Sequence, residues 1–399
     1  MSERVPPNST GAAISVDDCR VLVVDDNESN WLLIGGILDA AGIGKLEFAC
    51  DGIDGLAKVA SFKPDIIILD IMMPNMDGLE FMGHMRNSTE LGTVPILVQT
   101  ALNSNEERNE IYAAGATDML TKPLNPGELI TRVRTHLENR RLTKIHQNQL
   151  RLDAELDAAK RMQEALLPPP SLFQEIRQRT GLGIDSHFET SSELGGDMWG
   201  LHALGENQTG IFTIDFSGHG LGASLNTFRL HTIMSNLRPP ADDPAQYLCV
   251  LNEQLKQLLP LGQFATMFYG IIDTKEDTLA YSAAGAPFPL VGRLGTSELQ
   301  YHEAAGVPLG MKQNVTYENR RLDFPEDSYL FLYSDALIET PDRDGHDLDE
   351  NGVKDLLTKS LTSGDAHSTL HRLRDNFDHW TAASPVDDLT LVLAIRSHD

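Results

Sequence analysis

The sequence predicts two domains joined by a helix: a doubly wound α/β domain, a helical connector, and an α+β layered domain. Three observations predict this. Short apolar runs alternate with helical stretches from Cys19 to Leu137. Apolar residues spaced three and four apart then run from Leu142 to Leu166 and stop before Pro168-Pro169-Pro170. Beyond Leu172, strand-like stretches and turns are mixed with long helical stretches. With 399 residues and 41% hydrophobic content, the chain is long enough to build two cores.

In the first segment the apolar runs are Val21–Val24, Leu46–Ala49, Ile66–Leu69, Ile96–Val98 and Asp118–Leu120. Helices are expected to begin near Glu28, Gly52, Leu79, Glu106 and Pro126. Continuous apolar strands alternating with helices imply a parallel sheet covered on both faces. Ligands of such sheets sit beyond the carboxyl ends of the strands. The polar residues fall there: Asp25-Asp26 after the first run, Asp70 after the third, Thr100 after the fourth and Lys122 after the fifth. Three carboxylates on one edge repel each other, and a divalent cation that favours oxygen ligands, such as Mg2+, relieves that repulsion. Beside such an ion a carboxylate can accept a phosphoryl group, with metal, hydroxyl and ammonium stabilising the charge on its oxygens.

The connector reads as heptads, with Leu142, Gln149, Leu156 and Gln163 at a and Ile145, Leu152, Ala159 and Leu166 at d. Such a seam predicts a parallel dimeric coiled coil; the alternative is one amphipathic helix packed on its own chain. The earlier apolar set Ile130, Val133 and Leu137 is out of this register, so the last helix of the α/β domain is expected to end before Leu142. The prolines stop the connector, since proline lacks the amide donor and clashes with the preceding turn. The expected divisions are a disordered tail (1–18), the α/β domain (19–138), the connector (139–168) and the C-terminal domain (169–399).

In the C-terminal domain, strands are expected over Gly210–Phe216, Thr266–Asp273, Thr278–Ala284, Ser328–Tyr333 and Leu389–Ile395. Helices are expected over Gly222–Asn236, Pro244–Leu259, Gly352–Ser360 and Ser368–Thr381. Two antiparallel sheets flanked by helices fit this pattern. Aspartates again mark strand ends: Asp215 closes one strand, Asp335 follows another, and Asp387-Asp388 precede the last. Asp197 follows Gly195-Gly196, where missing side chains allow tight backbone geometry. Carboxylates from distant segments gather for cations, and two hard ions about 3.5–4 Å apart generate a hydroxide for in-line attack on phosphorus.

Composition excludes other classes. The formal charge of -26 repels phosphate backbones and acidic lipid surfaces. The cysteines Cys19, Cys50 and Cys249 have no metal or disulfide spacing, and are expected to be buried small hydrophobes in a reducing compartment. The polar stretch Met1–Val16 has no signal-peptide core, and no apolar run approaches the roughly 20 residues of a membrane span. A soluble, cytoplasmic protein is expected.

Asp70-Ile71-Met72-Met73-Pro74-Asn75-Met76-Asp77-Gly78-Leu79 and Thr121-Lys122-Pro123 resemble the receiver domain of two-component response regulators, a flavodoxin-like fold. The resemblance implies that Asp70 is the phosphoacceptor. It also implies that Asp26, Asp70 and the Met72 carbonyl hold Mg2+ with help from Asp25. Lys122 then pairs with the phosphoryl group and Thr100 moves toward that group, while the Lys122–Pro123 bond is expected to be cis. Met119 stands where that family often has an aromatic switch residue.

The region from about Ala159 to Arg396 resembles the PPM-type metal-dependent protein phosphatases, in their sporulation-phosphatase branch. The similarity lies in the aspartate motifs, in Ala159–Gln163 with Leu167-Pro168, and in Phe264–Gly270, Ala283–Pro287 and Gly306–Gly310. It implies a layered β-sandwich, with Asp197, Asp215, Asp335, Asp387 and the Phe216 carbonyl holding two Mn2+ or Mg2+ ions. Gly200 replaces a second Asp of the first motif, and Ala336 replaces a Gly of the third. His219 has three readings: positioning phosphate, acting as a general acid, or hydrogen-bonding within its glycine turn.

Together the resemblances imply a response regulator whose output is a protein serine/threonine phosphatase. Its partners would be a histidine kinase or phosphotransfer protein and a phosphoprotein such as an anti-sigma-factor antagonist. The alternative is a non-catalytic adaptor that binds a sigma factor or its regulator through the phosphatase fold, a reading that Gly200 and Ala336 favour.

Overall fold

The computed structural model describes residues 19–396 except 89–90, 102–103, 193, 219, 241, 297, 343–344, 362–364, 382–384 and 386. The tail 1–18 and His219 lie outside the described residues. The chain forms two compact units, Met1–Leu152 and Asp153–Asp399.

The first unit runs β1 (Arg20–Val24), α1 (Glu28–Ala40), β2 (Lys45–Ala49), α2 (Gly52–Phe62), β3 (Ile66–Asp70), α3 (Gly78–Arg86), β4 (Ile96–Thr100), α4 (Asn105–Ala113), β5 (Asp118–Thr121) and α5 (Pro126–Glu164). Its sheet has the order β2-β1-β3-β4-β5 and is parallel throughout. Alternate strand residues feed two cores. Leu22, Val24, Ile67 and Val98 pack with Val59, Phe81 and Ile111 of α2, α3 and α4. Val21, Val23, Ile68 and Leu97 pack with Ile34 of α1 and Leu129 and Val133 of α5. Burial on both faces is why these strands are apolar without alternation. The side chains of Asn27, Asp51, Asp77 and Ser104 cap the first four helices by accepting a free amide of the first turn.

Helix α5 corrects the expected break between Leu137 and Leu142, for it is continuous over 39 residues. Glu138-Asn139-Arg140-Arg141 holds no proline or glycine, so the change of apolar register turns the buried face without interrupting the backbone ladder. Arg140 donates to the Thr93 carbonyl (2.8 Å) and Lys144 to Asp65 (2.8 Å), which fastens the turns beyond Leu137 to the first unit. Leu142, Ile145 and Leu152 are 52%, 54% and 53% exposed. The last heptad members behave differently: Gln163 is buried, and Leu166 packs into the core of the second unit. The open apolar seam is therefore shorter than the sequence pattern.

The second unit opens with α6 (Pro170–Thr180), which the sequence reading missed. The prolines that exclude further helix also start one, because Pro170 occupies the first turn, where no amide bond is needed. Then follow β6 (Leu182–Glu189), β7 (Met198–Ala203), β8 (Gln208–Phe216), α7 (Leu221–Asn236), α8 (Pro244–Leu258), β9 (Ala265–Asp273), β10 (Thr278–Ala284), β11 (Leu290–Arg293), β12 (Leu299–Tyr301), β13 (Arg320–Asp323), β14 (Ser328–Tyr333), α9 (Ala336–Glu339), α10 (Glu350–Ser360), α11 (Ala366–Trp380) and β15 (Leu389–Arg396).

These strands make two antiparallel sheets, β13-β10-β9-β8-β7 and β12-β11-β14-β15-β6. Trp199, Ile211 and Phe268 of the first meet Leu330, Val392 and Ala394 of the second between the sheets. The outer face of the first sheet packs on α7 and α8, through Phe212, Leu230 and Leu251. The outer face of the second packs on α10 and α11, through Phe331, Leu357 and Phe377. The result is a helix–sheet–sheet–helix sandwich.

Cys19 is buried, as expected of a small apolar side chain, but Cys50 is exposed at the end of β2. Among the described residues no helix is long and apolar enough to cross a membrane.

Candidate phosphorylation and metal sites

In the first unit, the carboxyl ends of β1, β3, β4 and β5 bring Asp25, Asp26, Asp70, Thr100 and Lys122 to one edge. Carboxylate oxygens of Asp25, Asp26 and Asp70 all lie within 4.8 Å of one another. Asp25 is fully buried and accepts from the Asn27 amide (2.9 Å) and the Asn30 side chain (2.9 and 3.0 Å). Burial raises its pKa, and the Asp70 charge adds to the rise, while the Asn27 and Asn30 bonds oppose it. Asp70 accepts from Lys122 at 2.7 Å and from the Ile71 amide at 2.8 Å. Lys122–Pro123 is a cis bond. A Cβ on Gly78 would come within 2.5 Å of the Asp70 carbonyl, so the loop after β3 can close on itself only with glycine there. Met72 presents an 81% exposed side chain beside this edge.

In the second unit, both sheets contribute two aspartates. Met198 pairs with Ile214, so Asp197 before β7 and Asp215 in β8 share one end of the first sheet. Tyr333 pairs with Leu391, so Asp335 after β14 and Asp387 before β15 share one end of the second. The two ends meet at a cleft of about 660 Å3, lined by Asp197, Asp215, Asp335, Glu339, Phe288 and Tyr333. Asp197 is fully enclosed, and burial followed by the Asp215 charge pushes its carboxyl well above the usual range. Asp215 is pushed up to about 7 by burial and by the charges of Asp335 and Asp387. Asp335 is pushed up to about 6 by burial and by Glu339 and Asp387. Carboxylates desolvated together in this way fit hard cations as partners.

Residues 21–134 match the response regulator receiver domain family, and residues 205–397 match the family of stage II sporulation protein E (SpoIIE). The chemotaxis response regulator CheY4 of Vibrio cholerae is 37% identical over 30% of this chain and 98% of its own, with a TM-score of 0.29. The chain carries a response regulator receiver domain followed by a SpoIIE-type phosphatase domain. The phosphoserine phosphatase RsbP of Bacillus subtilis is 27% identical over 58% of this chain and 58% of its own. The SiaA-PP2C domain of Pseudomonas aeruginosa has a TM-score of 0.54 at 18% identity, covering 63% of this chain and 99% of its own, which shows a shared fold. The chain spans about half the length of the curated relatives it matches.

The phosphatase domain also explains its departures from the family pattern. Gly200 does not face the carboxylates; a Cβ there would lie 2.3 Å from the Phe212 ring, which fills the space toward α7 and α8. Ala336 begins α9 with its side chain in the core against α10 and α11, and its backbone is not in the left-handed region that would call for glycine. In the receiver, Met119 is buried among the apolar residues facing α2, α3 and α4.

Several residues around the phosphatase carboxylates escaped sequence reasoning. Thr390 donates its hydroxyl to Asp197. Ser334 donates to the Asp388 carbonyl (2.7 Å) and accepts the Thr390 amide (2.9 Å), tying β14 to β15. Gln163, assigned by its spacing to a dimer seam, is 4% exposed. It donates to the Gly195 carbonyl (2.7 Å) and accepts the Gly195 amide (3.1 Å). The last turn of α5 therefore grips the backbone two residues before Asp197. The signal for Ser334 and Thr390 lay in the motifs themselves, whereas a 3–4 spacing cannot tell a helix–helix seam from a helix–domain contact.

Proposed function

We propose that this response regulator hydrolyses phosphoserine or phosphothreonine in a protein substrate, under control of phosphorylation at Asp70. The observation that carries the reading is the set of Asp197, Asp215 and Asp335, gathered from two sheets at one cleft and raised in pKa by burial and neighbouring charge, with the Asp387 charge acting on Asp215 and Asp335.

Asp197, Asp215, Asp335, Asp387 and the Phe216 carbonyl would hold two Mn2+ or Mg2+ ions. When bound, the ions supply a hydroxide for attack on phosphorus. The protein's own part is to orient these oxygens: Thr390 fixes one Asp197 oxygen, and the Asp388 amide fixes one Asp387 oxygen at 2.8 Å. In the receiver, Asp25, Asp26, Asp70 and the Met72 carbonyl would hold Mg2+. An oxygen of Asp70 attacks the phosphorus of a phosphohistidine, a P–O bond forms as the P–N bond breaks, and Lys122 follows the charge onto the phosphoryl oxygens. Thr100 then moves toward the new group. The signal passes along α5 to Gln163 and so to the Asp197 loop. Exposed Leu142, Ile145 and Leu152 support a homodimer paired along α5.

The implied partners are a histidine kinase or phosphotransfer protein and a phosphoprotein of the anti-sigma-factor antagonist kind, in the cytoplasm. RsbP, named for phosphoserine, supports the substrate class. The adaptor reading rests on Gly200 and Ala336, and both positions face packed core rather than the cleft. The test is Mn2+-dependent phosphate release from a phosphoserine protein. Turnover by the wild-type protein, lost in Asp215→Asn while its fold is kept, supports hydrolysis; tight binding of an unphosphorylated partner without turnover in any metal supports the adaptor.

A further inference from the structure

Asp388 follows an expected ligand directly, yet its side chain is used differently. It is 4% exposed, and among the described residues its two oxygens meet neutral donors. One oxygen accepts the Ser191 amide (2.8 Å) and the Ser191 hydroxyl (3.1 Å). The other accepts the Gly196 amide (2.5 Å) and, at longer range, the Asp197 amide (3.4 Å). The Gly195-Gly196 pair follows from this packing. A Cβ on Gly195 would lie 2.5 Å from the Asp388 oxygen, and one on Gly196 would lie 3.1 Å from the Phe216 carbonyl.

We propose that Asp388 is a positioning residue for Asp197. Its carboxylate gathers the amides of Ser191, Gly196 and Asp197 and so sets where the Asp197 carboxylate points. The assignment rests on the metal-hydrolase reading of the cleft. A carboxylate serves here where an amide would not: four donors need four acceptor lone pairs, and a carboxylate offers acceptors alone. An asparagine would turn an NH2 group toward the amides of Ser191 or Gly196 and repel one of them. Groups that orient a metal-binding side chain commonly change metal affinity by about 10–100-fold when removed.

The experiment is calorimetric Mn2+ titration of the full chain in an Asp26→Ala background, which disables the receiver trio, together with phosphate release at graded Mn2+. Asp388→Asn is expected to bind Mn2+ about 10–100-fold more weakly with unchanged stoichiometry, and saturating Mn2+ is expected to bring kcat back toward the unsubstituted value. Ser191→Ala, which removes one of the four donors, should shift affinity in the same direction by less. Unchanged Mn2+ affinity in Asp388→Asn overturns the assignment. Loss of one bound ion with kcat not restored also overturns it, because Asp388 would then be a ligand. Should Asp388→Asn fail to fold, Ser191→Ala decides, and unchanged affinity there overturns the proposal. If the unsubstituted phosphatase domain takes up no Mn2+ at all, the hydrolase reading itself falls, and the assignment falls with it.

Discussion

At the scale of single residues, the two aspartate sets differ in how their charge is held. Asp70 already has Lys122 at 2.7 Å, whereas Asp197 and Asp215 face other carboxylates. Asp215→Asn is therefore expected to lower phosphate release by a factor of about 100 or more, the scale of losing a preorganised electrostatic contact, with thermal unfolding little changed. Wild-type rates in that variant would remove Asp215 from the metal site. A second residue prediction concerns Gln99 in β4, which is fully buried with both amide atoms unpaired among the described residues. An unmet buried amide costs about 1–3 kcal/mol. Gln99→Met, which keeps the length and removes the polar atoms, should raise the receiver's denaturation midpoint. A lower midpoint would mean that an ordered water pays that cost. The strand-end aspartates, Thr100 and Lys122 were legible because a parallel sheet delivers strand ends to one edge. Asp388 was not, because an acidic pair before a strand does not say which member faces the cleft.

Among the elements, α5 carries the main lesson. Its apolar spacing predicted helix correctly, with a start near Pro126, but not that the helix would run unbroken past Leu137 or what its last turns would touch. The expected break after Leu137 came from a change of register, and register governs which face is buried rather than whether the backbone continues. Gln163 and Leu166 fit the heptad and yet pack within the phosphatase domain. The sheets were easier to read. Thr278–Ala284 and Ser328–Tyr333 appear with the bounds expected, each being a compact apolar run between turns. Short or polar strands such as β12 and β13 gave no such contrast. Gln163→Ala strips both contacts from Gly195, each a buried bond whose loss costs about 1–3 kcal/mol. We expect it to uncouple the domains: acetyl phosphate would still phosphorylate Asp70, but phosphatase activity would no longer respond. A full response in Gln163→Ala would route control elsewhere. Leu142→Lys with Leu152→Lys should shift the protein toward monomer in analytical ultracentrifugation. An unchanged mass would place any self-association off this seam.

For the molecule as a whole, the acidic cleft links ions, protons and stability. Asp197, Asp215 and Asp335 hold their protons more tightly when folded than the ordinary value of 3.8. Without metal, the folded protein therefore binds more protons than the unfolded chain between about pH 4 and pH 7. The stability this lends is complete below the unfolded pKa and is lost as pH rises through the folded values. Metal-free phosphatase should thus melt at a lower temperature at pH 8 than at pH 5. Mn2+ should reverse that slope, because the ions displace the protons and bind best where the carboxylates are ionised. Melting curves with chelator and with Mn2+ at the two pH values check both signs.

The most direct test of the central claim is anomalous diffraction at the manganese edge from crystals grown with Mn2+. Two peaks are expected in the C-terminal cleft, each within ligand distance of oxygens from Asp197, Asp215, Asp335 or Asp387. Ordered carboxylates with no anomalous peak among them would contradict it.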